Sequence, residues 1–461
     1  MFWLNRDLGQ DAKTFLLEGD LRHTYADVFV AGDDLFSGIN RGTILIFCEK
    51  SFETIAVYVG ALRNNLIPLM IDANMRPAAL SRLLQKYKPH HVYAPYSHSE
   101  LPGHHKIKVL GKGALYSRNI QIDVLLNPDL ALLLPTSGST GDPKCVRLSA
   151  KNIDTCTTAV CEYLKISSQH TAVSALPFHY SYGLSVLHNV LHTRGQLVLT
   201  EASVLEREFW LVMERYGVTD FSGVPFMFEL IRRMQLPYRV LDNLLCVTQA
   251  GGHLNPKISA QLYQKFTASG IRYYTMYGQT EAGPRISFIP PEYAMEKNGS
   301  VGIPISCGQV HIASTGSQDT EGELVYSGPN VCLGYAWSDA DLADGDVFKG
   351  VLKTGDQATL DADGFITIIG RRKRFVKLQG ISVNLDYFES VLKVKGIDCI
   401  VVGKENQISI CHVGDHRDTL SDIIRKNFSF HASSIKYTQI DSVPLTATGK
   451  PDYMLITNQY L

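Results

Sequence analysis

LLLPTSGSTGDPKCVRLS, residues 132–149, runs from a short apolar stretch into a loop rich in glycine and hydroxyl groups, and then into a second apolar run. Glycines let neighbouring backbone N–H groups point at one anion, and Lys144 adds a positive charge. Such a loop suits a polyphosphate. It does not match the Walker A pattern, because Gly138 and Gly141 are three residues apart and no serine or threonine follows Lys144. Composition alone leaves a polar hairpin turn as the alternative.

Strand and helix signals alternate on both sides of this loop. Buried strands are predicted at 42–48, 66–71 and 91–94, separated by helices that begin after Ser51 and at Pro77. This βαβαβ order predicts a mostly parallel sheet covered by helices. The alternation resumes after the loop, with strands near 173–177, 196–200, 219–222, 245–249 and 273–276 and helices near 150–163, 205–216, 225–234 and 255–269.

The pattern changes near residue 300, where glycine becomes frequent and short β-like runs such as 322–327 and 364–370 follow. The C-terminal segment mixes a helix with short strands, near 417–427, 398–403 and 407–413. We therefore predict an α/β protein. Residues 1–370 form a large domain of mostly parallel sheets with a β-rich subdomain, and residues 371–461 form a small α+β domain.

Charge and composition exclude several classes of protein. The 461 residues include 44 basic and 45 acidic side chains, so no bulk attraction to nucleic acid or to an anionic membrane is expected. The N-terminus lacks the pattern of a signal peptide, and no apolar stretch has the length of a membrane span. Nine cysteines without a CxxC pair predict reduced, mostly buried thiols in a cytoplasmic protein.

The nonapeptide TSGSTGDPK, residues 136–144, resembles the phosphate-binding loop of the adenylate-forming superfamily, which includes acyl- and aryl-CoA ligases, nonribosomal peptide adenylation domains and firefly luciferases. Further motifs follow in the family's order: YGQTE (277–281), GELVYSGPNVCLGY (322–335), LKTGDQA (352–358), GRRKRFVKLQGISVN (370–384) and PLTATGKPDY (444–453). The resemblance covers nearly the whole chain. It implies that a carboxylate attacks the α-phosphorus of ATP, giving acyl-AMP and pyrophosphate, before a thiol takes the acyl group.

The resemblance also implies a role for individual residues. Lys450 would bridge the carboxylate and the α-phosphate, Glu281 would hold Mg²⁺, and Thr280 would contact the α-phosphate. Asp356 would bind the ribose hydroxyls with help from Arg371. The other residues implied to contact ATP or AMP are Thr136, Ser137, Gly138, Ser139, Thr140, Gly141, Lys144, Gly251, Gly252, Tyr277 and Gly278. Each has a plain structural alternative, such as a solvated lysine or a turn aspartate.

The acyl substrate is indicated by LPFHYSYGLS, residues 176–185, which resembles the family segment beside the carboxylate. Amino-acid-activating members carry an aspartate where this chain has His179, so an ordinary α-amino acid is disfavoured, because its buried ammonium would lack a counter-ion. His179 joins the predicted catalytic set, with a packed core residue as the alternative. Met276, where many CoA ligases have glycine, favours a short or compact acid. The other expected pocket residues are Tyr180, Tyr182, Phe226 and Met227.

Lys373 aligns with the hinge on which the family's small, mobile domain rotates between the two half-reactions. A solvated charge in a basic run is the alternative. The expected acceptor is CoA or the phosphopantetheine of a separate carrier protein. Two other functions remain open: an amino-acid-activating ligase, and a nucleotide-binding pseudoenzyme. The presence of Lys450, Glu281 and Asp356 disfavours the pseudoenzyme.

Overall fold

The computed structural model describes residues 1–5, 8–96, 101, 103–119, 124–136, 144–313, 321–371, 374–378, 381–404, 406–427, 435–446 and 450–461. Residues 137–143 of the glycine-rich loop and the predicted hinge residue Lys373 lie outside this set. The chain divides into two compact units: the first comprises Met1–Asn298, Gly302–Gln309 and Ser327–Leu352, and the second Gly299–Val301, Val310–Tyr326 and Lys353–Leu461. The domain boundary after residue 370 stays a prediction.

Helices and strands alternate along most of the described chain. The helices are α1 Leu8–Asp11, α2 Tyr25–Phe36, α3 Phe52–Arg63, α4 Pro77–Tyr87, α5 Ala150–Leu164, α6 Ser181–Thr193, α7 Arg207–Arg215, α8 Pro225–Arg233, α9 Tyr238–Asn243, α10 Pro256–Thr267, α11 Leu385–Val394, α12 Arg417–Asn427 and α13 Tyr453–Tyr460. The strands up to residue 277 are β1 Thr14–Glu18, β2 Leu21–Thr24, β3 Thr43–Cys48, β4 Ile67–Asp72, β5 His91–Pro95, β6 His104–Leu110, β7 Gly113–Arg118, β8 Leu130–Thr136, β9 Lys144–Ser149, β10 Thr171–Val173, β11 Gln196–Leu199, β12 Asp220–Gly223, β13 Cys246–Gln249 and β14 Arg272–Tyr277. The later strands are β15 Ser287–Phe288, β16 Ile303–Pro304, β17 Gln309–Ala313, β18 Glu321–Ser327, β19 Gly334–Ala336, β20 Val351–Leu360, β21 Ile366–Arg371, β22 Phe375–Leu378, β23 Ile381–Asn384, β24 Cys399–Lys404, β25 Gln407–Val413 and β26 Ile435–Ile440.

The first unit is built on two large sheets. One has nine described strands in the order β16-β15-β14-β13-β12-β10-β11-β1-β2, and the other has eight in the order β19-β9-β8-β4-β3-β5-β7-β6. Strand β3 lies between β4 and β5 and runs parallel to both, which confirms the βαβαβ prediction. The strand predicted at 173–177 lies instead at Thr171–Val173, because its register is set by parallel pairing with β11.

Local chemistry explains where the helices beside the second of these sheets begin and how closely they pack. The predicted cap Ser51 is confirmed, since its hydroxyl accepts a hydrogen bond from the Thr54 N–H at 3.3 Å. Pro77 occupies the first turn of α4, where its missing N–H costs nothing. Helices α2 and α3 touch backbone to backbone at Gly32 and Gly60, where an added Cβ would lie 2.5–2.6 Å from the opposite main chain.

Helix α6 is buried along almost its whole length, from Ser181 to Leu191. A polar side chain inside such a helix needs a partner, and His188 finds one in the Tyr58 hydroxyl, 2.7 Å from its Nε2. Burial lowers the pKa of His188 to about 3. The folded protein therefore holds a neutral imidazole that the unfolded chain would protonate near pH 6.5.

We expect this histidine to make stability fall with acidity. Between about pH 6.5 and the folded pKa of about 3 the unfolded state binds one more proton at His188, so each pH unit removes about 1.4 kcal/mol from the free energy of unfolding. His188→Gln should flatten the slope of unfolding free energy against pH, measured by urea titration between pH 7 and 5. His105→Gln, at an exposed position, should keep the wild-type slope. Equal slopes in His188→Gln and wild type would contradict the prediction.

The second unit combines a four-stranded sheet, ordered β17-β18-β20-β21, with a two-stranded sheet β22-β23 and a three-stranded sheet β24-β25-β26. Glu389 on α11 joins distant parts of this unit. Its Oε1 accepts from Arg374 at 2.8 Å, and its Oε2 accepts from the Tyr453 hydroxyl at 2.9 Å. The Arg374 guanidinium also lies 3.9 Å from the centre of the Tyr453 ring. This network ties α11 and α13 to Arg374, the residue before β22.

Within the described ranges, no helix is long and apolar enough to cross a membrane. Eight of the nine cysteines are buried and Cys307 is half-buried, which confirms the predicted burial. Burial raises the pKa of the Cys156 and Cys161 thiols to about 12, so both stay protonated at neutral pH.

Candidate active site

The glycine-rich loop connects the adjacent ends of a hairpin. Strands β8 and β9 are antiparallel. Thr136, directly before residues 137–143, pairs with Lys144, directly after them. The Thr136 hydroxyl lies 3.4 Å from the Lys144 carbonyl oxygen, to which it donates. The predicted phosphate contacts Ser137, Gly138, Ser139, Thr140 and Gly141 lie outside the described residues, so their roles stay predictions.

A cation, an aromatic ring and a carboxylate meet at the end of this hairpin. The Lys144 Nζ lies 3.2 Å from the centre of the Tyr335 ring and 5.5 Å from that of Trp337. The Tyr335 hydroxyl donates to Glu281 Oε1 at 2.8 Å. Burial raises the pKa of Tyr335 and the Glu281 charge acts in the same direction, so this hydroxyl remains a neutral donor.

The sequence motifs alone do not predict Tyr335 as a site residue. It lies in the quoted GELVYSGPNVCLGY motif, but the motif alone assigned no role to its ring. Strand β19 carries Tyr335 and pairs with β9, with Tyr335 opposite Val146. This pairing across about 190 residues brings the ring to Lys144, and no local pattern could reveal it.

Thr280 and Glu281 lie in a single 3₁₀ turn, Thr280–Ala282, which begins three residues after the end of β14. The Thr280 hydroxyl is 3.0 Å from the Ser181 hydroxyl at the start of α6. The Glu281 carbonyl accepts from the Cys332 N–H at 2.8 Å. Both predicted catalytic residues are thus fixed by their neighbours in the first unit.

Close contacts require glycine at two of the predicted nucleotide-binding positions, Gly278 and Gly251. At Gly278 an added Cβ would lie 1.9 Å from the Pro284 carbonyl oxygen, so no other residue fits beside Tyr277. At Gly251, with φ +90°, it would lie 2.5 Å from the Tyr180 hydroxyl. Gly252 follows, and its carbonyl accepts from the Gln249 side chain at 3.3 Å. The turn at 251–252 therefore adjoins the segment that carries His179 and Tyr180.

His179 carries a buried nitrogen that the fold leaves unused. Its Nδ1 has no hydrogen-bond partner among the residues that the structure describes. Burial lowers the pKa of His179, against the opposing effect of Asp72, so the imidazole is neutral at pH 7. The available nitrogen of a neutral imidazole can form one hydrogen bond with a bound molecule, as donor or as acceptor.

Two of the predicted acyl-pocket residues are deeply buried. Tyr182 is 2% exposed, and its hydroxyl lies 2.7 Å from the Thr248 hydroxyl. Met276 is 4% exposed, and its sulfur accepts from the Tyr163 hydroxyl at 2.9 Å. The half-buried Tyr180 ring packs edge-on against Tyr182, at 6.3 Å between ring centres.

Two further residues predicted to line the acyl pocket, Phe226 and Met227, lie in the first turn of α8. Phe226 is 42% exposed, so its side chain lies largely at the surface of the first unit, and its pocket role stays a prediction. Met227 is half-buried and packs against two of the buried apolar clusters of the first unit. Of these two neighbours, the structure therefore turns Met227 inward.

The second unit holds the remaining predicted residues. Asp356 is 3% exposed, and its Oδ1 accepts from Arg371 Nε at 3.1 Å. The two residues face each other across β20 and β21. Lys450 is exposed, and its carbonyl accepts a hydrogen bond from the Thr446 N–H at 2.7 Å. Asp356 and Arg371, the two residues that the family motifs assign to the ribose, are therefore in direct contact.

Comparison with known proteins identifies the family. The family model of the AMP-binding enzymes matches residues 13–336, well over half of the chain. The chain belongs to the AMP-binding enzyme family. This confirms the resemblance to the adenylate-forming superfamily that the six motifs carried.

Curated relatives of this AMP-binding enzyme include a long-chain-fatty-acid–CoA ligase of Yersinia pestis, 29% identical over 299 residues, which are 62% of this chain and 52% of the relative. A 2-succinylbenzoate–CoA ligase of Bacillus subtilis (strain 168) is 26% identical over 358 residues, 74% of this chain and 71% of the relative. The match to the Yersinia relative thus spans about half of that protein's length.

Solved structures show the same fold. The o-succinylbenzoate CoA synthetase MenE from Bacillus subtilis, in complex with its acyl-adenylate intermediate, superposes with a TM-score of 0.76 at 21% identity, covering 97% of this chain and 96% of that one. ATP-bound MatB from Rhodopseudomonas palustris gives a TM-score of 0.79 at 18% identity, covering 98% and 97%. The mixed α/β architecture predicted for this AMP-binding enzyme is confirmed.

Proposed function

We propose that this AMP-binding enzyme activates a carboxylic acid with ATP, forming acyl-AMP and pyrophosphate, and then transfers the acyl group to the thiol of CoA. The observation that carries the proposal is the cluster of Lys144, Tyr335 and Glu281 beside the glycine-rich loop. The cluster supports this proposal because it joins the cation at the end of the glycine-rich loop, through Tyr335, to a carboxylate, the type of ligand that Mg²⁺ prefers. The names of the curated relatives, which are CoA ligases, support CoA over a carrier protein as the acceptor.

Glu281 fits the Mg²⁺ that the family implies. Its Oε1 accepts from Tyr335, and its other oxygen has no hydrogen-bond partner within the described chain. No group of three or more His, Cys, Asp or Glu side chains that could hold a metal ion occurs among the described residues. A magnesium ion at Glu281 would therefore take its other ligands from ATP phosphates and water, its usual preference, and would neutralise phosphate charge.

We assign each of the remaining polar residues to one part of the nucleotide. Thr280, held by Ser181, offers its hydroxyl to the α-phosphate. Asp356 has two carboxylate oxygens for the two ribose hydroxyls, while Arg371 holds that carboxylate in place. Lys450 supplies positive charge where the carboxylate and the α-phosphate, both anionic, approach each other. Lys144 supplies charge for the outer phosphates.

His179 supports a carboxylic acid without an α-ammonium group. Its neutral imidazole can donate to or accept from the acid, but it cannot balance a buried ammonium. We assign it to orienting the acid beside Tyr180 and Tyr182. The amino-acid-activating alternative would need a carboxylate in place of the His179 side chain.

The two steps of the reaction make different demands on the active site, and the predicted hinge would meet both. The first step needs Lys450 at the α-phosphate, and the second needs room for a thiol. A rotation near Lys373, between residues 1–370 and 371–461, would meet both needs with one active site. Cytoplasmic location remains part of this proposal as a prediction, and a separate carrier protein remains the alternative acceptor.

The proposal is tested by pyrophosphate release over a panel of acids, measured with and without CoA. We expect pyrophosphate and acyl-AMP with at least one acid, and an acyl thioester only when CoA is added. Thioester formation with a phosphopantetheine-loaded carrier protein, but not with CoA, would reassign the acceptor. ATP binding without pyrophosphate release for any acid, including α-amino acids, would support the pseudoenzyme instead.

A further inference from the structure

The first unit buries an arginine that has no carboxylate partner among the described residues. Arg285, 2% exposed, follows the YGQTE motif by four residues. Its guanidinium donates to the Pro284 carbonyl and to the Ser185 hydroxyl, both at 3.3 Å, which is long for such bonds. Its buried Nε has no hydrogen-bond partner, and no carboxylate of the described chain pairs with it.

A second buried arginine in the same unit shows what a structural role requires. Arg147 is fully buried, and its guanidinium donates to the carbonyls of Tyr335, Asp344, Leu333 and Gly345. Each of its nitrogens has an acceptor. Arg285 has the same burial and about half the acceptors, so the fold does not satisfy it, although buried charges in proteins are normally paired or fully hydrogen-bonded.

The position of Arg285 relates it to the predicted acyl pocket. Its guanidinium carbon lies 4.3 Å from the centre of the Tyr182 ring. Its charge also opposes the rise that burial causes in the pKa of Tyr163, whose hydroxyl donates to the sulfur of Met276. Tyr182 and Met276 are the buried members of the predicted pocket. This guanidinium therefore lies where the part of the acid remote from the reacting carboxylate would bind.

We propose that Arg285 is a specificity residue and that the substrate is a compact dicarboxylic acid, whose second carboxylate pairs with its guanidinium. This inference rests on the proposed function. Nε and the neighbouring Nη2 lie on one edge of the planar guanidinium and match the two oxygens of a carboxylate. The Ser185 hydroxyl would remain beside that pair. One carboxylate is activated, while the other is held and never reacts.

The test compares acids that differ only in the second carboxylate. Succinate is paired with butyrate, glutarate with pentanoate and adipate with hexanoate, and kcat/KM is taken from pyrophosphate release. Wild type should prefer at least one dicarboxylate over its partner by about 10²-fold. Arg285→Met should lose about 10²-fold on that dicarboxylate and little on the monocarboxylate. Arg285→Lys, which keeps the charge but not the fork, should fall between them.

Two controls separate folding from recognition. ATP affinity, measured by calorimetry, should stay within about two-fold of wild type in Arg285→Met, because this side chain is assigned no contact with nucleotide. Ser185→Ala should reduce the dicarboxylate preference by less than ten-fold, because it removes only one neutral hydrogen bond.

The outcomes distinguish this inference from the proposed function. Release with monocarboxylates and no preference for any dicarboxylate would overturn the inference and leave the function standing. Equal losses on both acids of a pair in Arg285→Met and Arg285→Lys would also overturn it, since Arg285 would then be structural. Absence of release with every acid would overturn both.

Discussion

Lys450→Ala is expected to slow acyl-AMP formation by about 10²–10³-fold while ATP still binds. A carboxylate and a triphosphate repel each other as they meet, and the lysine supplies the charge that offsets this repulsion. The Lys450 side chain is exposed, so its removal should leave the second unit folded. Rapid-quench measurement of pyrophosphate release gives the rate directly.

The control for this variant is Lys395→Ala, an exposed lysine in the same unit, which should keep the wild-type rate. Thioester formation from preformed acyl-AMP and CoA should fall less in Lys450→Ala than adenylation does, because no α-phosphate charge then has to be approached by an anion. Pyrophosphate release at the wild-type rate in Lys450→Ala would remove this lysine from the mechanism.

Asp356→Ala is expected to lower kcat/KM for ATP by about 10²-fold and to slow both half-reactions. Hydrogen bonds to a charged group contribute about 1.5–3 kcal/mol each, and two ribose hydroxyls depend on this carboxylate. Because the ribose has to be held in both steps, the loss should appear in adenylation and in thioester formation alike. Initial rates at varied ATP and at varied acyl-AMP measure the two effects.

Asp363→Ala is the matched control, an exposed turn aspartate in the same unit, and both of its half-reactions should be unaffected. Arg371→Ala should produce a smaller loss than Asp356→Ala, since Arg371 acts only through the carboxylate that it holds. Normal ATP kinetics in Asp356→Ala would make this residue a turn residue and nothing more.

Sequence patterns predicted the local elements well, because their causes are local. The run TILIFC at 43–48 is a buried strand between two parallel neighbours, and Ser51 caps the helix after it. Helix α12 begins and ends at its predicted residues 417 and 427. Such elements follow from apolar periodicity and from the chemistry of caps, both of which can be read within a dozen residues.

Contacts between distant segments could not be predicted in this way. Strand β1 pairs with β11, with Leu16 opposite Leu197, and no periodicity in either segment selects that partner. The motifs identified Glu281 and Lys144, but only the pairing of β19 with β9 brings Tyr335 between them. Arg285 follows a recognised motif, yet its missing counter-ion becomes visible only when the side chains around it are known.

The hydrogen bonds that Arg147 donates to four carbonyl groups affect the entropy of nucleotide binding. They hold the main chain at Tyr335 against β9, while its hydroxyl is fixed on Glu281 and its ring lies under Lys144. The loss of conformational freedom at these groups therefore occurs when the chain folds, before any ligand arrives. A nucleotide that meets a pre-organised carboxylate and cation keeps more of its contact energy as affinity.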